Sequence, residues 1–172
     1  MKVITAPEYY ERHDKDISVF LAGGITNCPD WQSEVIKDLN VNNLGSLIVF
    51  NPRRKNFPIG DKSAAYTQIK WEYEMLEECD IFSMYFSSGE SNQPICMYEL
   101  GRNILRMQMR FPADWQDRII ITVEGGYRRK QDVLIQTELA TQNKIVVDTW
   151  GNPDMCLAHH VEKIEAAFKK LR

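Results

Sequence analysis

Hydrophobic positions along the chain fall into two alternating rhythms. Short runs dense in β-branched and aromatic residues predict five strands: ISVFLAG (Ile17 to Gly23), SLIVFNP (Ser46 to Pro52), CDIFSMYF (Cys79 to Phe86), RIIITVE (Arg118 to Glu124) and NKIVVDT (Asn143 to Thr149). Between them lie stretches of helical period: PDWQSEVIKDL, AYTQIKWEYEMLEE, PICMYELGRNILRMQM and KQDVLIQTELAT, with a closing helix from about Pro153 to Leu171. Strands separated by helices predict an α/β fold with a mainly parallel sheet, because a crossover helix is how parallel strands are joined. The third run is the most apolar in context and is expected at the centre. MKVITA at the start can add a short edge strand, and Glu8 to Asp16 reads as a polar connector.

In open sheets of this kind, ligands sit beyond the carboxyl ends of the strands, where the strand order reverses. An order of 2-1-3-4-5 puts that point between the first and third predicted strands. The loops AGGITNCPDW (Ala22 to Trp31) and SSGESNQ (Ser87 to Gln93) would then face each other, with Glu99 in the helix that follows the second.

Composition narrows the possibilities. With 172 residues, 44% hydrophobic content and no compositional break, one domain spanning 1–172 is expected, residues 1–16 being an N-terminal extension or edge strand. The net charge is −3, and Lys and Arg are sparse outside PRRKN (Pro52 to Asn56) and YRRK (Tyr127 to Lys130), which speaks against polymeric nucleic acid as a partner. The four cysteines, Cys28, Cys79, Cys96 and Cys156, show no metal-ligand spacing, so neither a metal site nor a disulfide framework is expected. Reduced thiols, the lack of an apolar leader and the lack of a membrane-length run point to a soluble, cytoplasmic protein with no membrane association.

Several residues are candidates for chemistry. Gly23 and Gly24, followed by Ile25, let backbone approach a ligand, although a plain turn is the commoner reason for such a pair and the motif is neither a dinucleotide fingerprint nor a P-loop. Glu72 falls with Ile69, Tyr73 and Leu76 at the spacing of a core-facing stripe. Burial there would raise its pKa and suit it to proton transfer; the alternative is a stripe-edge residue paired with a lysine such as Lys70. Glu99 is placed by the same test on the polar side of its helix with Arg102, Asn103 and Arg106, where ion pairs at i+3 are expected. Near the helix start it could instead look into the crevice, held ionised by the helix dipole as a nucleophile requires. Trp31 and Trp71 could wall a base pocket or simply fill the core. Asp80 is expected at the amino edge of the sheet, Cys96 as a buried structural thiol, and His13, His159 and His160 outside the crevice.

Taken in order, VFLAGGI…DWQ, NPRR, WEYEMLEECDIFSMYF, QPICMYELGR and GYRRKQDVLIQ resemble the nucleoside 2-deoxyribosyltransferase family, from about Val19 to Gln136. The resemblance implies a flavodoxin-like (Rossmann-like) sandwich with a five-stranded sheet, and N-glycosidic chemistry on nucleosides or nucleotides. It places the family's catalytic glutamate, in the ELG motif, on Glu99, and the acid that helps protonate the base on Glu72. In such enzymes the carboxylate attacks the anomeric carbon, the base departs, and a second base or water resolves the glycosyl ester. No cofactor or metal is implied, and a homo-oligomer is.

There are departures. The first strand, Ser18 to Leu21, has no tyrosine to orient the nucleophile, and the position where many members hold the base with an acid is Gln93. In related nucleotide hydrolases, serines near the ELG helix hold a 5′-phosphate; Ser87, Ser88 and Ser91 are the candidates here. Besides transfer between bases, hydrolysis of a nucleoside 5′-phosphate or of NAD uses the same bond chemistry. A non-catalytic module binding a nucleotide or ADP-ribose-type ligand is the reading from a different class.

Overall fold

The computed structural model describes residues 1–42, 44–58 and 60–172. Its strands are β1 (Lys2–Thr5), β2 (Ile17–Gly23), β3 (Leu47–Asn51), β4 (Ile81–Phe86), β5 (Ile119–Glu124) and β6 (Asp148–Trp150). Its helices are α1 (Trp31–Val41), α2 (Lys62–Glu78), α3 (Pro94–Arg110), α4 (Lys130–Thr141) and α5 (Pro153–Leu171), with a 3-10 turn at Trp115–Arg118. All strands are parallel, in the order β1-β3-β2-β4-β5-β6. The five expected strands keep their expected order, and the initial MKVIT segment adds a sixth at the edge beside β3. The fold is α/β of flavodoxin-like class. Among the described residues, no helix is long and apolar enough to cross a membrane.

Alternation along the strands builds the two faces, since successive side chains point to opposite sides. Phe20, Phe50, Phe82, Met84 and Phe86 pack with Trp71 and Leu76 of α2, Leu100 and Ile104 of α3 and Val133 of α4. Val19, Leu21, Val49 and Ile81 pack with Val35 and Leu39 of α1 and Ile164 and Phe168 of α5. Every residue of β3, β4 and β5 is buried, as expected of strands covered on both faces. The last strand differs from expectation. Pairing is confined to Asp148, Thr149 and Trp150, while Val146, inside the predicted run, is 76% exposed. An edge strand is paired on one side only, so its apolar residues are not all drawn inward.

Helix starts follow local chemistry. Asp30 caps α1 by accepting from Ser33 N at 3.3 Å, and Asp61 caps α2 by accepting from Ser63 N at 2.8 Å. Each such cap contributes about 1 kcal/mol. α3 begins differently: Pro94 occupies its first turn and Gln93, with φ of 46°, makes no side-chain cap.

Candidate active site

The strand order reverses between β2 and β4, and a cavity of about 210 Å³ opens there at the carboxyl ends of the strands. Its wall includes Phe20 and Ala22 of β2, the Gly23–Thr26 turn, Pro52 beyond β3, Glu72 of α2, and Ser91, Gln93 to Cys96 and Glu99 around the start of α3. Of the residues singled out from the sequence, Gly23, Gly24, Ile25, Gln93, Glu72 and Glu99 meet in this one cavity. Trp31, Ser87 and Ser88 do not line it.

The turn after β2 is shaped by what lies under it. Gly23 has φ of 151°, and a β-carbon there would collide with the Tyr85 carbonyl and approach Trp31 Cζ2 to 2.6 Å. Trp31, 3% exposed, donates from Nε1 to Gly24 O at 3.1 Å and packs on Tyr85 with ring centroids 5.0 Å apart. It therefore supports the turn from beneath and presents no face to a base. Trp71 is also buried, donating to Glu8 O at 2.8 Å. Arg53 holds the same turn from its outer side, donating to Pro29 O at 2.7 Å, Ile25 O at 3.3 Å and Gln32 Oε1 at 2.9 Å.

Gln93 joins the two loops. Its Oε1 accepts from Gly24 N at 3.1 Å and its Nε2 donates to Ser87 O at 2.8 Å. With one bond at each end of the amide, it acts as a tie between the β2 and β4 loops. Ser88 is committed elsewhere, its amide donating to Glu124 Oε2 at 2.7 Å and its hydroxyl to the same oxygen. Ser87 is 1% exposed, with its hydroxyl buried. Of the three serines, Ser91 is the one at the cavity.

The carboxylates need the closest reading. Glu72 is half-buried, but the stripe proposed for it is rotated: Ile69 is 65% and Tyr73 55% exposed, while Gln68, Trp71, Met75 and Leu76 face inward. Lys70 pairs with Glu74 at 3.6 Å, leaving Glu72 to accept from Gln68 Nε2 at 2.8 Å. Burial raises the Glu72 pKa, and the Gln68 bond opposes that rise.

Glu99 departs from expectation twice. First, it is half-buried at the cavity, and Arg102 pairs with Glu77 instead, stacking over Tyr73 at 4.2 Å, while Arg106 donates to Asn103 Oδ1 at 3.0 Å. Second, its pKa is pushed up to about 7, by burial first and then by the charge of Glu72, with Arg102 pulling the other way. The helix dipole does not keep it ionised, because α3 starts at Pro94 and Glu99 lies beyond the first turn, where that effect fades. Among the described residues none donates a hydrogen bond to the Glu99 carboxylate; Asn103 bonds its backbone oxygen at 2.9 Å.

Both carboxyls are raised, and the charge of Glu72 is one cause of the rise at Glu99, so the two are coupled. Cys96, also in the wall, is held as a thiol, burial pushing its pKa to about 12. Among the described residues, no group of three or more His, Cys, Asp or Glu side chains is placed to hold a metal ion.

A model of nucleoside 2-deoxyribosyltransferase-like proteins matches residues 16–123, from the start of β2 nearly to the end of β5. The chain belongs to this family. A search of the curated proteins returned no match. The nucleoside 2-deoxyribosyltransferase-like match contains the whole cavity, with both glutamates, and the family is one of glycosyl transfer on small-molecule nucleosides. Sequence reasoning missed Gln68 and Arg53 as residues that hold the site; NPRR was visible as a motif, but what its arginine touches was not.

Proposed function

We propose that the protein cleaves the N-glycosidic bond of a nucleoside or nucleotide through a covalent Glu99–sugar ester and passes the sugar to a second base or to water. The carrying observation is the pair of pKa-raised carboxyls, Glu72 and Glu99, in one cavity at the reversal of strand order. In the first step a Glu99 oxygen bonds to the anomeric carbon as the carbon–nitrogen bond breaks, and Glu72 delivers its proton to the leaving nitrogen. In the second step the incoming base, or water, gives Glu72 a proton as it bonds to the same carbon and frees the Glu99 carboxylate. Two displacements from opposite faces retain configuration. The Gly23, Gly24 and Ile25 turn lets the substrate approach the backbone closely, and Ser91 supplies a polar contact. Exposed Ile95 in the cavity wall, with exposed Tyr98 on the same helix, suits a homo-oligomer in which a second copy covers the open side.

The experiment is chromatography of reactions of the protein with each deoxynucleoside and nucleoside 5′-phosphate, and with NAD, with and without a different free base, beside Glu99→Ala. A new nucleoside formed only by wild type assigns transfer, and free base without exchange assigns hydrolysis. A second reading, a non-catalytic nucleotide- or ADP-ribose-binding module, draws on the lack of an orienting hydrogen bond to the Glu99 carboxylate among the described residues. Tight binding without turnover, unchanged in Glu99→Ala, would select it.

A further inference from the structure

Glu72 is held by a residue outside the cavity wall. Gln68 lies one turn earlier on α2 and is 9% exposed. Its Nε2 donates to Pro52 O at 2.7 Å and to Glu72 Oε1 at 2.8 Å, which uses both amide protons. This orientation is locked, since turning the amide over would set its oxygen against a carbonyl and a carboxylate, two acceptors. Gln68 Oε1 is meanwhile buried without a partner among the described residues. A buried acceptor left unpaired costs about 1–3 kcal/mol. An apolar side chain of similar size would fill the position without that cost, so the two donated bonds are what the glutamine adds.

Both acceptors belong to the cavity. Pro52 follows β3 and lines the wall, as Glu72 does. The amide thus links the end of a rigid strand to the carboxylate on α2. Resting on the assignment of Glu72 and Glu99 above, we propose that Gln68 is a positioning residue that aims Glu72 into the cavity and biases a proton shared by the pair toward Glu99 while the site is empty. An N–H donated to a carboxylate favours its ionised form, so the bond works against protonation of Glu72. The raised pKa of Glu99 agrees with that bias. For the glycosyl step the proton must move from Glu99 to Glu72 and on to the base nitrogen, and Glu99 becomes a nucleophile only then. The empty enzyme consequently keeps its nucleophile neutral.

The test separates this role from the chemistry it serves. In a Glu99→Gln background one carboxyl of the pair titrates, and carbon-13 NMR of labelled glutamate follows Glu72 with Gln68 present and with Gln68→Met. The expected result is a midpoint about one pH unit higher in Gln68→Met, a tenfold change in proton affinity. A folded variant with an unmoved or lowered midpoint overturns the proposal. Wild type alone gives a check that needs no variant: the Gln68 side-chain amide resonance should shift with the Glu72 titration and exchange slowly, and a freely exchanging, non-titrating amide overturns it. With Glu99 intact, Gln68→Met should move both limbs of the kcat/KM pH profile to higher pH and leave KM nearly unchanged. A lower melting temperature with an unmoved profile would reduce Gln68 to packing and sink the idea. Absence of any glycosyl chemistry in wild type would overturn the functional reading, whereas the Glu72 titration would still decide the role of Gln68.

Discussion

Buried carboxylates occur in two kinds of surroundings. Glu124, at the end of β5 and 5% exposed, accepts from Tyr85 Oη and Ser88 N, each at 2.7 Å, and from the Ser88 hydroxyl. Asp80, at the opposite edge of the sheet and 6% exposed, accepts from Arg12 at 2.9 Å and from Ser18 N at 2.9 Å. In the cavity, Glu72 has the Gln68 amide and the Glu99 carboxylate has no donor among the described residues. Surrounded by donors, a buried carboxylate organises its neighbours; with few donors and another carboxylate close by, it holds a proton it would otherwise release. The first arrangement builds the loops and the second leaves a group able to react.

The comparison can be tested by removing each acid in turn. Glu99→Ala should lower kcat by roughly 10⁴-fold or more, with the melting temperature not reduced; retained turnover, measured by base release, would end the assignment. Glu72→Ala should lower kcat by about 10²- to 10⁴-fold, the range of a lost general acid, and less for substrates whose bases depart readily without a proton. In wild type, kcat/KM should fall above about pH 7, as the coupled pair loses a proton. Glu124→Ala should act on stability first, by about 3 kcal/mol, because it strands a buried tyrosine hydroxyl and a backbone N–H. Calorimetry should show a drop of roughly 6–12 °C for a chain of this size.

The smallest effect is also the most diagnostic. The folded-state pKa of Glu99, about 7, lies above the ordinary 4.5, so the folded chain holds this proton more tightly than the unfolded one. The stabilising contribution is complete below about pH 4.5 and is lost as pH rises through 7, with an upper bound of about 3 kcal/mol. Glu99→Gln, which cannot ionise, should therefore raise the melting temperature by a few degrees at pH 8 and leave it unchanged at pH 4. A gain that is equal at both pH values would mean that the charge is not under strain.

The strand runs and their order were readable because each buried strand carries a nearly continuous apolar run, broken by Ser18, Ser83 or Thr122 at most, and each crossover has a helical period of adequate length. Helix faces were less readable. α2 has Ile69 and Tyr73 on one side and Trp71, Met75 and Leu76 on another, so its periodicity suggests a stripe in either direction. What decides is Gln68, a polar residue turned inward to reach the Pro52 carbonyl. For Glu99, a helical wheel considers one helix alone, whereas its burial comes from β2, its loop and α2. The family motifs pointed to both glutamates. They did not show what Arg53, Gln68 and Gln93 touch, because each bonds backbone atoms that only the fold brings near it.

The connector between β1 and β2 bears on how the chain is held. Arg12 reaches Asp80, 68 residues further on, and Trp71 donates to the carbonyl of Glu8 across a span of 63. Among the described residues β1 pairs with β3, at the sheet's edge. The connector is thereby stitched at two points, to α2 through Trp71 and to the start of β4 through Asp80. A protease cut between Glu8 and Arg12 would part the two stitches, so resistance to cleavage there reports whether both hold.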